Sequence, residues 1–107
     1  GQAYNFGPNL RRSYSVIELV KSMQNYWEDA EFKIMKKKSL IDHESSLLKL
    51  NCNKAYYQLG WKSKINFKEA TKLTAEWYKT FYLESSKSVK KKTFEQIENY
   101  ISLLNDE

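Results

Sequence analysis

Glycine is nearly missing from this sequence: the 107 residues contain only Gly1, Gly7 and Gly60. Three glycines so placed cannot build a Gly-x-x-Gly-x-x-Gly dinucleotide loop or a Gly-x-x-x-x-Gly-Lys-Ser/Thr phosphate loop, so no backbone cradle for a cofactor phosphate is encoded. Cysteine is equally scarce. Cys52 stands alone, which excludes an internal disulfide, and no second Cys or His lies at zinc-ligand spacing from it. The one histidine, His43, has no serine or cysteine nucleophile in a recognisable elbow near it. No tyrosine is followed four residues later by lysine, so the Tyr-x-x-x-Lys proton-transfer pair is missing too. No stretch approaches the roughly 20 apolar residues that span a bilayer, and the N-terminus lacks the basic-then-apolar order of a secretory signal, so a soluble, cytoplasmic chain without a membrane partner is expected. Neither a metal site, a disulfide scaffold nor self-contained catalysis is expected.

What is present is aromatic and basic. Hydrophobic residues make up 41% of the chain, enough for one modest core, and the whole of 1–107 reads as a single unit. Lys plus Arg number 18 against 13 Asp plus Glu, a formal charge of +5 that suits an anionic partner. Two lysine runs, Lys36 to Lys38 and Lys87 with Lys90 to Lys92, read as loops. They are phosphate-contacting patches or, more commonly for such runs, solvated surface. Most of the three tryptophans and eight tyrosines recur at helical spacing with other apolar residues, which reads as core.

Along the chain, Ala3-Tyr4-Asn5-Phe6 closed by Gly7-Pro8 reads as a strand ending in a turn. Ser15 with Glu18 matches a capping box before Val16, Leu19, Val20, Met23 and Trp27, a first helix. Short apolar runs at Glu31 to Met35 and Leu47 to Leu50 read as weak strands. Asn51 caps a brief helix through Ala55, Tyr56 and Leu59 that stops at Gly60. Asn66 with Glu69 opens a longer helix to about Leu83, with Phe67, Ala70, Leu73, Trp77 and Phe81 on one face. After a polar linker over 84–92, Thr93 with Gln96 opens a last helix striped by Phe94, Ile97, Ile101 and Leu104. The expected fold class is α+β, mostly helical, with short strands and about four helices.

Several blocks occur in one order: Ala3-Tyr4-Asn5-Phe6-Gly7-Pro8, Ser15-Val16-Ile17-Glu18-Leu19-Val20, His43-Glu44-Ser45-Ser46-Leu47-Leu48-Lys49-Leu50, Leu59-Gly60-Trp61-Lys62 and Thr74-Ala75-Glu76-Trp77-Tyr78-Lys79. This succession resembles the C-terminal substrate-binding lobe of extended short-chain dehydrogenases acting on nucleotide sugars, most closely the CDP-glucose 4,6-dehydratases. The Leu-Gly-Trp and Glu-Trp-Tyr blocks are common to the superfamily; the His-Glu-x-x-x-Leu-Lys-Leu run and the Tyr-Asn-Phe-Gly-Pro opening point to the CDP-glucose branch. Asn51, Ser63 and Ser45 depart from that pattern, where Asp, Pro and Ala are usual.

The resemblance implies conversion of CDP-glucose to CDP-4-keto-6-deoxyglucose, a step toward O-antigen sugars. The NAD and the catalytic Tyr and Lys would belong to a Rossmann half that this chain lacks, leaving no cofactor in the chain itself. It also implies substrate contacts at His43 and Glu44 and along Asn9, Arg11, Arg12 and Ser15. An exposed loop histidine and a solvated turn are the plainer readings of those residues. The implied partner is a CDP-sugar held jointly with the Rossmann half, and an oligomer is compatible. A rival of another class is an autonomous basic helical module binding nucleic acid or an acidic protein. Aromatics interleaved with exposed basic residues would favour the rival, and aromatics buried beneath helices would favour the lobe.

Overall fold

The computed structural model describes residues 1–29 and 50–106. Four helices follow one another: α1 (Val16–Gln24), α2 (Asn53–Leu59), α3 (Phe67–Leu83) and α4 (Ser86–Asn105). None of them is long and apolar enough to cross a membrane.

Local chemistry sets most of the helix ends. Ser15 caps α1 by accepting a hydrogen bond from the Glu18 backbone N–H at 3.1 Å. α3 carries a complete capping box: the Asn66 side chain accepts from the Glu69 N–H at 2.9 Å, and the Glu69 carboxylate accepts from the Asn66 N–H at 3.3 Å. At α2 the cap position is Cys52, which makes no side-chain bond, while Asn51 one residue earlier accepts from the Asn53 N–H at 2.9 Å. Gly60 ends α2 at φ 68°, a left-handed backbone that glycine adopts without a Cβ clash. The N–H groups of Gly60 and Trp61 can then reach back to the carbonyls of Tyr56 and Ala55.

α3 is the central element, packing against α1 on one side and α4 on the other. Ser22 of α1 and Thr71 of α3 share a hydroxyl–hydroxyl hydrogen bond at 2.6 Å. Trp27, just after α1, stacks on Tyr82 near the end of α3 with centroids 5.8 Å apart. Between α3 and α4, Gln96 donates to the Leu73 carbonyl at 2.9 Å, and Lys92 lies 3.6 Å from Glu76.

Three expectations need correction. The fold is helical, not α+β, because the described residues contain no strand, only single bridge residues at Asn9, Tyr14 and Asn66, with Asn9 and Asn66 paired in parallel. Ala3 to Phe6 lies beside α2 and the turn after it, with no ladder. The Ala3 carbonyl accepts from Lys54 at 2.9 Å, Tyr4 donates to Gln58 at 2.9 Å, and Phe6 meets Trp61 edge to face at 5.0 Å. A lone extended segment has no neighbouring strand to pair with, so side chains take its place. The other two strands were expected at residues that lie outside the described ones, apart from Leu50.

The linker expected over 84–92 is also shorter. Only Glu84 and Ser85 separate α3 from α4, since Ser85 caps the last helix by accepting from the Ser88 N–H at 3.3 Å. The lysines at 87 and 90–92 are therefore helical, in keeping with the good helix propensity of lysine, and do not form a loop. Thirdly, the apolar face of α3 is not a sealed core. Thr71, Ala75 and Thr80 are its buried residues, while Trp77 is half-buried and Phe81 is 51% exposed. No large side chain is fully buried among the described residues.

Candidate functional site

The segment after Phe6 crosses the turn that leads from α2 to α3. Asn9 fixes the crossing: its backbone N–H donates to the Ile65 carbonyl at 2.8 Å, next to the bridge to Asn66. This crossing forms two adjoining grooves. One, of about 630 Å³, has Asn9, Arg11 and Tyr14 on one side and Lys64, Asn66 and Lys68 on the other. The second, of about 460 Å³, runs past Asn9 to Tyr56, Trp61 and Lys62.

The first groove is electropositive by construction. Arg11, Lys64 and Lys68 gather around the start of α3, whose aligned peptide dipoles add positive potential at that end. Among the described residues, Glu69 is the acid in the same lining. Such a surface suits an anion carrying several oxygens, and a guanidinium such as Arg11 offers paired donors to a phosphate or carboxylate. Among the described residues, no three His, Cys, Asp or Glu side chains come together as a metal cluster.

One wall of this groove is a three-layer stack. Tyr14 lies parallel to Phe67 with ring centroids 3.8 Å apart and planes 7° from parallel. The Arg12 guanidinium sits 4.0 Å above the Tyr14 ring and forms an ion pair with Glu18 at 2.9 Å. Because Phe67 covers one face of Tyr14, Arg12 must occupy the other. Glu18 is thereby turned toward Arg12, and the second half of the capping box expected with Ser15 is not seen.

The residues singled out from the sequence thus separate by role. Asn9 and Arg11 line the basic groove together. Arg12 and Ser15 hold the entry to α1, through the stack and the cap respectively. His43 and Glu44 lie outside the described residues. Lys64, Lys68 and Tyr14 were not anticipated at the groove. Their signal was present but faint: Lys64 and Lys68 flank the Asn66 cap, and lysines beside a helix start invite anion binding.

The chain is similar to a CDP-glucose 4,6-dehydratase of Salmonella typhimurium, with 31% identity over 86 residues, covering 75% of this chain. The chain is distantly related to that enzyme. It spans 22% of the dehydratase's length. No family model and no solved structure matches the chain.

An enzyme of the implied kind would use NAD, and the described glycines do not fit that group. Gly60 closes α2, and Gly7 lies well before α1 begins at Val16, so neither opens a helix as a dinucleotide cradle requires.

Proposed function

We propose that this chain is the C-terminal nucleotide-sugar-binding portion of a CDP-glucose 4,6-dehydratase-like enzyme and is not catalytic alone. The observation that carries the reading is the 31% identity over 86 residues to such an enzyme. The basic groove supports it. A CDP-sugar presents two phosphates, and Arg11, Lys64 and Lys68 would take the diphosphate while the Asn9 side chain supplies a donor or acceptor to the sugar or ribose. His43 and Glu44 would add ribose and phosphate contacts. The remaining wall of the cleft, NAD and the catalytic pair would come from a Rossmann half. A large apolar surface left exposed on the helices agrees with a piece that packs against more protein.

One observation favours the rival, a basic module that binds nucleic acid. Tyr78 and Tyr82 are exposed on α3 with Lys79 between them in sequence, the interleaving that stacking on bases would use. The two readings part on a chimera. This chain replaces the matching portion of the Salmonella typhimurium enzyme, and CDP-glucose is supplied with NAD. Formation of 4-keto-6-deoxy product supports the dehydratase reading. A folded chimera that retains NAD but forms no product overturns it. Micromolar, steeply salt-dependent binding of single-stranded nucleic acid by the chain itself moves the assignment to the rival.

A further inference from the structure

The chain between the Asn9 crossing and α1 is fastened to the entry of α3 at two points. At the first, the Asn9 N–H is bonded to the Ile65 carbonyl at 2.8 Å. At the second, the Tyr14 ring lies on Phe67. Both points fall within the short stretch from Ile65 to Phe67, and Lys64 and Lys68 flank that stretch on either side. Leu10 to Ser13 connect the two points, with a bend at Arg11 and Arg12. The backbone that carries Arg11 is therefore held from both sides, although the Arg11 side chain is exposed.

The second fastening depends on charge as well as on packing. Aromatic pairs favour offset or edge-to-face contact, because the negative faces of two rings repel. Tyr14 and Phe67 lie with centroids 3.8 Å apart and planes 7° from parallel, close to a face-to-face pair. The Arg12 guanidinium, 4.0 Å from the Tyr14 centroid on the opposite face, draws on the ring's π density and offsets that repulsion. Glu18 keeps the guanidinium there through the 2.9 Å ion pair. Arg12 does not line the groove of about 630 Å³ that Arg11 borders. It acts on Tyr14, and Tyr14 acts on the segment that carries Arg11.

We infer that Tyr14 is a positioning residue for the basic groove: clamped between Phe67 and Arg12, it holds Arg11 on the side of Lys64 and Lys68, so that one diphosphate meets all three cations. An arginine that leaves the groove for part of the time lowers the affinity in proportion, and the clamp keeps it in place. Tyr14 also borders the groove, so a direct contact through its hydroxyl is the alternative that Tyr14→Phe separates from positioning. The inference rests on the reading of this groove as a diphosphate site.

Titration of the chain with inorganic pyrophosphate at low salt, followed through backbone amide chemical shifts, tests it, with circular dichroism of each variant to confirm helix content. The wild-type chain should give saturable shifts at Arg11 and from Asn66 to Lys68. Tyr14→Ala should raise the dissociation constant about tenfold, the loss expected when Arg11 occupies the groove about a tenth of the time. Tyr14→Phe keeps both ring faces and should bind as the wild type does. In the Arg11→Ala background, Tyr14→Ala should add no further loss, because its effect runs through Arg11. If Tyr14→Ala loses helix content, Tyr14→Leu carries the same comparison, since it keeps an apolar side chain on Phe67 without a flat face. An equal loss with and without Arg11 overturns the inference, because Tyr14 then supports the fold at large. Wild-type affinity in Tyr14→Ala, a loss in Tyr14→Phe as large as in Tyr14→Ala, or a wild-type chain without a saturable response overturns it too. An inactive chimera beside the expected pyrophosphate pattern removes the dehydratase reading alone, and a productive chimera beside a silent titration removes the positioning role alone.

Discussion

Trp77 donates its indole N–H to the hydroxyl of Thr93 across 2.8 Å, and Thr93 in turn donates to the Val89 carbonyl one helical turn earlier. The relay ties α3 to α4 with a polar bond where the surrounding contact is otherwise apolar. Thr93→Val keeps the shape and removes the acceptor, leaving a half-buried indole N–H unpartnered, so a loss of about 1 kcal/mol is expected in urea denaturation. Trp77→Ala should cost more, about 2 to 3 kcal/mol, but less than truncation of a fully buried tryptophan because the ring is half-exposed. Equal losses for the two variants would show that packing contributes little there.

Gly60 offers a cleaner test of backbone cost. A Cβ added there would meet nothing within 4 Å, yet the residue sits at φ 68°. Gly60→Ala should therefore destabilise by about 1 kcal/mol through conformation alone, read as a lower urea midpoint with an unchanged slope. A neutral result would mean that the turn after α2 relaxes to another backbone.

The capping box of α3 is predicted to matter more than the single cap of α1. Asn66→Ala removes the bond to the Glu69 N–H and should cost about 1 to 2 kcal/mol, with Glu69→Ala costing less since its bond to the Asn66 N–H is longer. Thermal unfolding of the two single variants checks the order.

Neighbouring arginines should behave differently. Arg12 has a carboxylate partner and an aromatic face, so Arg12→Ala should lower stability by about 1 kcal/mol. Arg11 lies exposed at the basic groove, so Arg11→Ala should leave the melting temperature unchanged. In the chimeric dehydratase, Arg11→Ala and Lys68→Ala should raise KM for CDP-glucose more than they lower kcat, because binding is lost without loss of chemistry. Unchanged kinetics in both would make the groove a bystander.

On its own, the chain should form no 4-keto-6-deoxy product from CDP-glucose and NAD, since it encodes neither a dinucleotide loop nor a Tyr-x-x-x-Lys pair. Product above the background of a heat-denatured sample would contradict this.

Much of the helical framework was legible in the sequence because its signals are local. Ser15, Asn66 and Gly60 act on backbone groups a few residues away, and the helix boundaries they imply agree with α1, α2 and α3. Other assignments turned on partners far along the chain, which no short window contains. Ala3 to Phe6 carries a strand-like composition, but a strand exists only when another pairs with it, and here Lys54, Gln58 and Trp61 take its contacts instead. Thr93 and Gln96 match a helix start in spacing, yet Ser85 caps α4 earlier and tertiary packing turns both toward α3. The same holds for the candidate site. The sequence by itself determined where α1 and α3 begin, where α2 ends and how many cations the chain carries. Only the tertiary structure decided that Arg11 lines one groove with Lys64 and Lys68 while Arg12 turns to Tyr14 and Glu18, because which of two adjacent side chains faces a groove depends on how the crossing at Asn9 is held by Ile65.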